Sequence, residues 1–251
     1  MTRNLKLTVS YDGTDYSGWQ VQPDAPTIQG TLASAIGRLT GEIVLPQGSG
    51  RTDAGVHALA QVATFSTASS VPTENFTKAL NDILPVSIRI LDVAEVVADF
   101  HARKSARAKT YRFRIYREPI CPPFLARYVW HFPYPLDEKA MAEAAPLVVG
   151  EHDFTSFAAV DPERGREHGE VSNVRTIFSS TFERQGEELI YTVRGSGFLH
   201  HMVRNLMGTY NLVGKGTLRS TDVSGILEAR DRSAAGATAP ACGLFLVNVE
   251  Y

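Results

Sequence analysis

The feature that most restricts the fold is the order in which the hydrophobic period switches between two residues and three to four. Leu5, Leu7, Val9 and Tyr11 alternate with polar residues, the pattern of a half-buried strand, and Asp12-Gly13 supplies a turn. Thr27 can cap a helix whose apolar positions are Ile28, Leu32, Ala35, Ile36 and Leu39. A short strand is expected at Ile43–Leu45, another around Val62–Phe65, a helix through Phe76, Ala79, Leu80 and Ile83 that stops at Pro85, and a strand over Ile88–Val97. The order β-α-β-β-α-β is the split βαβ arrangement of ferredoxin-like domains. The second half repeats it: a strand at Lys109–Tyr116, a helix over Asp137–Val149, strands at Thr176–Glu183 and Leu189–Gly195, a helix from Leu199, and a last strand at Leu244–Tyr251. Ser220-Thr221 is expected to cap an additional helix, Asp222–Arg230, and the Gly/Ala-rich stretch 234–239 reads as a loop. The expectation is an α+β protein of two ferredoxin-like (RRM-like) halves, residues 1–105 and 106–251.

Between the two middle strands of the first half lies Gly48-Ser49-Gly50-Arg51-Thr52-Asp53-Ala54-Gly55-Val56-His57-Ala58. Glycines at 48, 50 and 55 permit unusual backbone angles and close approach of a ligand, as a loop presenting a reactive carboxylate requires. The same residues would also serve as an ordinary hairpin connection. No Gly-Lys-Ser/Thr follows, so a Walker-type phosphate loop is excluded.

Formal net charge is −2, against a generic nucleic-acid binder, but the charge is unevenly placed. Between His101 and Arg117 stand seven Lys or Arg residues (Arg103, Lys104, Arg107, Lys109, Arg112, Arg114, Arg117) and no Asp or Glu. The block is either a phosphate-facing surface or a solvated strand. The two cysteines, Cys121 and Cys242, lack the spacing of a zinc site or a disulfide framework, and both read as reduced and structural. No apolar run reaches membrane-spanning length and no signal-peptide pattern opens the chain, which points to the cytoplasm.

Three side chains in the second half carry a choice of role. Tyr111 shares a strand face with Phe113 and Ile115, opposite Arg112 and Arg114, and is either core or an aromatic plate lining a cleft. Arg204 sits among apolar residues at helical spacing; it snorkels to solvent or meets an anionic partner, with Asp53 the candidate. His200 and His201, read as helical neighbours about 100 degrees apart, are surface or core histidines and no metal site.

Gly50 to Ala58 resembles the Gly-Arg-Thr-Asp-Ala-Gly-Val-His-Ala motif of the tRNA pseudouridine synthase A family. The likeness runs along the whole chain, through Tyr11-Asp12-Gly13-Thr14 with Gly18-Trp19-Gln20, Phe100-His101-Ala102-Arg103, Lys109-Thr110-Tyr111-Arg112, Gly150-Glu151-His152-Asp153-Phe154, Val174-Arg175-Thr176-Ile177, Met202-Val203-Arg204-Asn205, and Ala239-Pro240-Ala241 with Gly243-Leu244. The resemblance implies two ferredoxin-like halves whose antiparallel sheets join, with helices on one face and a central cleft, in a homodimer that acts on tRNA without a cofactor. It implies that Asp53 is the nucleophile that converts uridines 38, 39 and 40 of the anticodon stem-loop to pseudouridine. It further makes Tyr111 the aromatic that stacks on the target base, Arg204 the basic partner of Asp53, Arg51 an aid to extruding the nucleotide, and Leu244 part of the pocket wall. Arg107 and Arg114 are expected to meet phosphate. Lys104 and Phe113 depart from the family pattern, as does the long acidic segment 161–170.

Two other readings compete. A non-enzymatic RNA binder with RRM-like sheets would carry an RNP-type aromatic stretch on a central strand, which is lacking. A hydrolase of N-glycosidic bonds built on Asp53 would release free uracil.

Overall fold

The computed structural model describes residues 2–160 and 172–251; the acidic segment singled out above lies outside them. In chain order the elements are β1 (Arg3–Tyr11), α1 (Ile28–Thr40), β2 (Gln47–Gly48), β3 (His57–Thr67), α2 (Thr73–Ile83), β4 (Ile88–Val96), β5 (Ala108–Tyr116), β6 (Trp130–His131), α3 (Glu138–Ala144), β7 (Gly150–Asp153), β8 (Val174–Gln185), β9 (Glu188–Gly195), α4 (Met202–Gly214), α5 (Asp222–Ala229) and β10 (Leu244–Glu250). The class is α+β, with mainly antiparallel strand pairs and five α-helices among the described residues.

Contacts divide the chain into two units, Met1–Lys109 with Phe245–Tyr251, and Thr110–Leu244. In unit 1 the strand order is β4-β1-β3-β10. Strand β1 pairs antiparallel on both sides, with β3 from Arg3↔Thr67 to Tyr11↔Ala58 and with β4 from Asn4↔Val96 to Tyr11↔Ile88. The far edge of β3 is shared: β2 takes Thr64 and Ala63, and β10 runs parallel beside His57 and Ala58. The alternation in β1 places Leu5, Leu7 and Val9 fully in the core with Ile28, Leu32 and Ile36 of α1 and Phe76 and Leu80 of α2. Each such side chain contributes about 1.5–3 kcal/mol by leaving water. The Thr27 hydroxyl accepts from Gly30 N–H to start α1, and Gly41 ends it in the left-handed region at φ 75°.

In unit 2 the order is β5-β9-β8-β7, with β6 parallel to β5. The core holds Phe113, Ile115, Phe154, Phe157, Tyr191 and Tyr210, with Leu206, Met207 and Val213 of α4.

Several expected boundaries change. Ile43–Leu45 is no strand: Ile43 is fully exposed, Pro46 has no N–H to offer, and pairing with β3 begins at Gln47. The helix expected over 137–149 is α3, capped by Asp137, followed by a 3-10 turn at Ala145–Val148. Thr221 precedes α5 but makes no side-chain cap. Instead Asp222 accepts from the backbone and guanidinium of Arg219. Helix α4 starts at Met202, three residues later than its apolar spacing suggests, because His201 adopts φ 59° and the His200 carbonyl accepts from Ala159 N–H.

Candidate active site

The loop from Ser49 to Val56 joins β2 to β3, and its backbone is tied at nearly every step. Ser49 N–H donates to Val62 (2.7 Å), its hydroxyl donates to Gln61 Oε1 (2.5 Å), and its carbonyl accepts from Lys109 Nζ (2.6 Å). Gln61 Nε2 then donates to the Gly50 carbonyl (3.0 Å). Thr52 is held by its side chain, 2.8 Å from Tyr11 Oη in a buried pair, and by its carbonyl, which accepts from Trp19 N–H (3.0 Å). Asp53 closes a turn by accepting from Val56 N–H (3.1 Å), with Gly55 at φ 76°. Asp53 is half-buried, and Arg51 and Ala54 are exposed beside it.

The partner of this loop is the segment Tyr11–Trp19, which lies against it as a strap. A Cβ on Gly13 would stand 2.0 Å from the Val56 carbonyl oxygen, and one on Gly18, already at φ 92°, 2.6 Å from that of Thr52. Buried His57 accepts through Nδ1 from Gly13 N–H (3.1 Å) and stacks on Phe245 at 4.7 Å. Of the loop glycines, Gly55 alone is required by its φ; Gly48 makes room for the Trp19 ring and Gly50 for the Lys109 ammonium. Burial holds the Tyr11 phenol protonated, with its pKa pushed up to about 12, so at neutral pH its bond to Thr52 is between neutral partners.

Unit 2 carries Tyr111, Arg204 and Leu244. Tyr111 is buried, 7% exposed, and edge-on to Phe198 at 5.0 Å, while Phe113 and Ile115 behind it are fully enclosed. Arg204 lies in the first turn of α4, with Nε donating to the Ala239 carbonyl (2.8 Å) and its own carbonyl accepting from Ala239 N–H (3.1 Å). The segment leading to Leu244 crosses α4 at glycines: a Cβ on Gly208 would stand 1.6 Å from the Ala237 oxygen. Buried Asn205 supports the crossing by accepting from Thr238 Oγ1 and Arg232 and donating to the Phe157 carbonyl. His200 and His201 are not the splayed helical neighbours expected; both precede α4, with ring centroids 4.0 Å apart.

The basic block resolves into different jobs. Arg103, Lys104 and Arg107 are exposed. Lys109 grips the Ser49 carbonyl, Arg114 makes a two-pronged pair with Glu188 (2.7 and 2.6 Å), and Arg117 bonds Glu138 (3.1 Å). Arg112 Nε is buried without a hydrogen-bond partner among the described residues. Tyr11, Gln61 and Lys109 are the site residues that sequence reasoning missed. Their types read as core or surface, and the one available signal was that Tyr11 and Lys109 each open a family-like motif.

The chain matches the sequence model of a family described as "tRNA pseudouridine synthase" over residues 7–103 and 144–251. It is 53% identical over 249 residues to a tRNA pseudouridine synthase A of Solibacter usitatus, covering 99% of this chain and 100% of the relative. It is 46% identical to that of Caldicellulosiruptor saccharolyticus over the same shares, and 47% identical to that of Moorella thermoacetica, covering 98% and 99%.

Proposed function

Because the chain belongs to the tRNA pseudouridine synthase family, we propose that it is the isomerase that converts uridine to pseudouridine at positions 38, 39 and 40 of the tRNA anticodon stem-loop, with Asp53 as nucleophile. The N1–C1′ bond of one nucleotide breaks, the uracil turns, and a C5–C1′ bond forms as C5 gives up its proton and N1 gains one. Atoms balance within that nucleotide, so no co-substrate is needed. The observation that carries the reading is the loop itself: a carboxylate at a half-buried turn whose flanking backbone is fixed by Tyr11, Trp19, Gln61 and Lys109. Pre-set geometry of this kind reduces the reorganisation needed to reach the transition state.

The remaining roles follow the resemblance. A stacked base must leave the helix to react; Arg51, exposed beside Asp53, is suited to fill the vacated place. Tyr111 offers a ring for stacking on the extruded uracil, Leu244 an apolar wall, and Arg204 a guanidinium as the basic partner of Asp53. Arg107, exposed, is the stronger candidate for phosphate, since the fork of Arg114 already engages Glu188. Two ferredoxin-like halves, 1–105 and 106–251 by element order, a homodimer and a cytoplasmic setting complete the proposal. No helix among the described residues is long and apolar enough to cross a membrane.

The decisive experiment is Asp53→Asn, which is nearly isosteric but cannot act as an anionic nucleophile. Release of tritium from C5-labelled uridine should fall to background while gel-shift affinity for the same tRNA persists, the signature of a group acting in the transition state. Tritium release near the wild-type rate would remove Asp53 from the chemistry. Free uracil among the products would indicate hydrolysis.

A further inference from the structure

We propose that Lys109 is a positioning residue for Asp53, fixing the loop from behind, and not one of the phosphate contacts its place in a basic block suggests. The inference rests on the reading of Asp53 given above. Lys109 stands at the start of β5, remote in sequence from the loop, yet its Nζ donates to the Ser49 carbonyl at 2.6 Å. A bond from an ammonium to a carbonyl at that length is charge-assisted and stronger than a neutral one.

The loop is built to receive it. Gly50 has no Cβ, and a Cβ there would come to 3.1 Å from the Lys109 ammonium. Ser49 is fully buried, with its N–H on Val62 and its hydroxyl on Gln61, so the carbonyl that Lys109 holds belongs to a residue already fixed at its N–H and its side chain. Gln61 secures the next carbonyl, that of Gly50. Two residues further on, Tyr11 holds Thr52 by its hydroxyl and Trp19 holds it by its carbonyl. The four residues leading to Asp53 are thus anchored at both ends, Lys109 at one and Tyr11 at the other. Losing the Lys109 bond lets the Ser49–Gly50 peptide tilt between the anchors at Val62 and Gln61, and the carboxylate shifts with it. Displacements of about 1 Å at a reacting group cost rate by up to about 100-fold.

Lys109→Met keeps the stem and removes the ammonium. Single-turnover rate at saturating tRNA, tRNA affinity across a salt series and thermal unfolding are read for it and for Lys109→Arg, all well below each melting temperature. Positioning predicts a rate about 10- to 100-fold lower for Lys109→Met, an unchanged slope of log affinity against log salt, and substantial recovery in Lys109→Arg, which can still donate. A slope shallower by about 0.7–0.9 with an unaltered saturating rate would make Lys109 a phosphate ligand and overturn the proposal. Wild-type values throughout, or Lys109→Arg as defective as Lys109→Met, would overturn it too. If Lys109→Met does not fold, Lys109→Leu, which likewise lacks a donor, takes its place under the same criteria. Asp53→Asn run in parallel separates the two ideas: an active Asp53→Asn sinks the reading of Asp53, whereas an inactive Asp53→Asn beside a fully active Lys109→Met sinks only the positioning role.

Discussion

Gly13 is the residue at which one methyl group has the greatest leverage on the carboxylate. Gly13→Ala would drive a Cβ to 2.0 Å from the Val56 oxygen, backbone against backbone, so the strap must leave the loop. We expect a loss of about 1–3 kcal/mol or more in urea unfolding and a fall in turnover beyond what the unfolded fraction explains. Gly41→Ala is the control: φ is 75° but nothing lies within 4 Å, so the cost is confined to about 1–2 kcal/mol of backbone strain with turnover intact. Arg204→Lys tests the other half of the proposed chemistry. The guanidinium is oriented by its Nε bond to Ala239, and a lysine keeps the charge without that fork. Turnover should drop by about tenfold or more with the melting temperature little changed; near-normal turnover would detach Arg204 from catalysis. Asp53 stands out as a candidate through the family-like motif Gly50 to Ala58, since a carboxylate among glycines would equally suit an ordinary hairpin turn. The sequence hides Tyr11 and Lys109 because a tyrosine ending an alternating strand reads as core and a lysine in a basic run reads as solvated. Only the fold brings their polar ends to Thr52 and Ser49.

Elements were legible where a local rule was sufficient. Helix α1 has its Thr27 cap, its apolar stripe and its Gly41 stop in one continuous stretch, and β1 has strict alternation. The reading failed where the deciding partner is remote. Ile43–Leu45 has the β-branched and apolar composition of a strand but belongs to none of the strands among the described residues. The two-residue β6 exists through pairing of Trp130 and His131 with Ile115 and Tyr116, and β7 through its register with β8, none of it visible locally. Helix glycines make the same contrast testable. Gly208 of α4 admits the Ala237 backbone at a distance no Cβ tolerates, whereas Gly225 of α5 is exposed with nothing within 4 Å. Gly225→Ala should stabilise by about 0.5–1 kcal/mol through helix propensity. Gly208→Ala should destabilise severely or prevent folding, and thermal melts of the two variants side by side read both signs. Equal effects would mean that the crossing at Gly208 does not form.

At the scale of the whole molecule each unit carries buried tyrosine hydroxyls, and these set an upper pH limit on the fold. Burial raises Tyr11 of unit 1 and Tyr191 of unit 2 from 10.0 to about 12, and raises Tyr210, beside Tyr191, well above 10.0. The hydrogen bonds to Thr52 and to Ser180 partly offset this, but burial is the larger effect. Because the folded phenols hold their protons more tightly than unfolded ones, their contribution is complete below pH 10 and is lost as pH rises from about 10 through about 12. A shift of that size corresponds to roughly 2–3 kcal/mol for each of Tyr11 and Tyr191, as an order of magnitude. Urea unfolding at stepped pH should therefore show stability falling steeply above pH 10, while absorbance at 295 nm shows the buried phenols ionising only as the chain unfolds. Lysines also titrate in this range, so the assignment rests on the difference between proteins. Tyr11→Phe and Tyr191→Phe should each show a shallower alkaline decline than wild type, whatever their stability at pH 8. If all nine tyrosines ionise with ordinary phenol behaviour while the protein remains folded, the hydroxyl of Tyr11 is reached by solvent and cannot be the buried clasp on Thr52 from which the geometry of the Asp53 loop is argued.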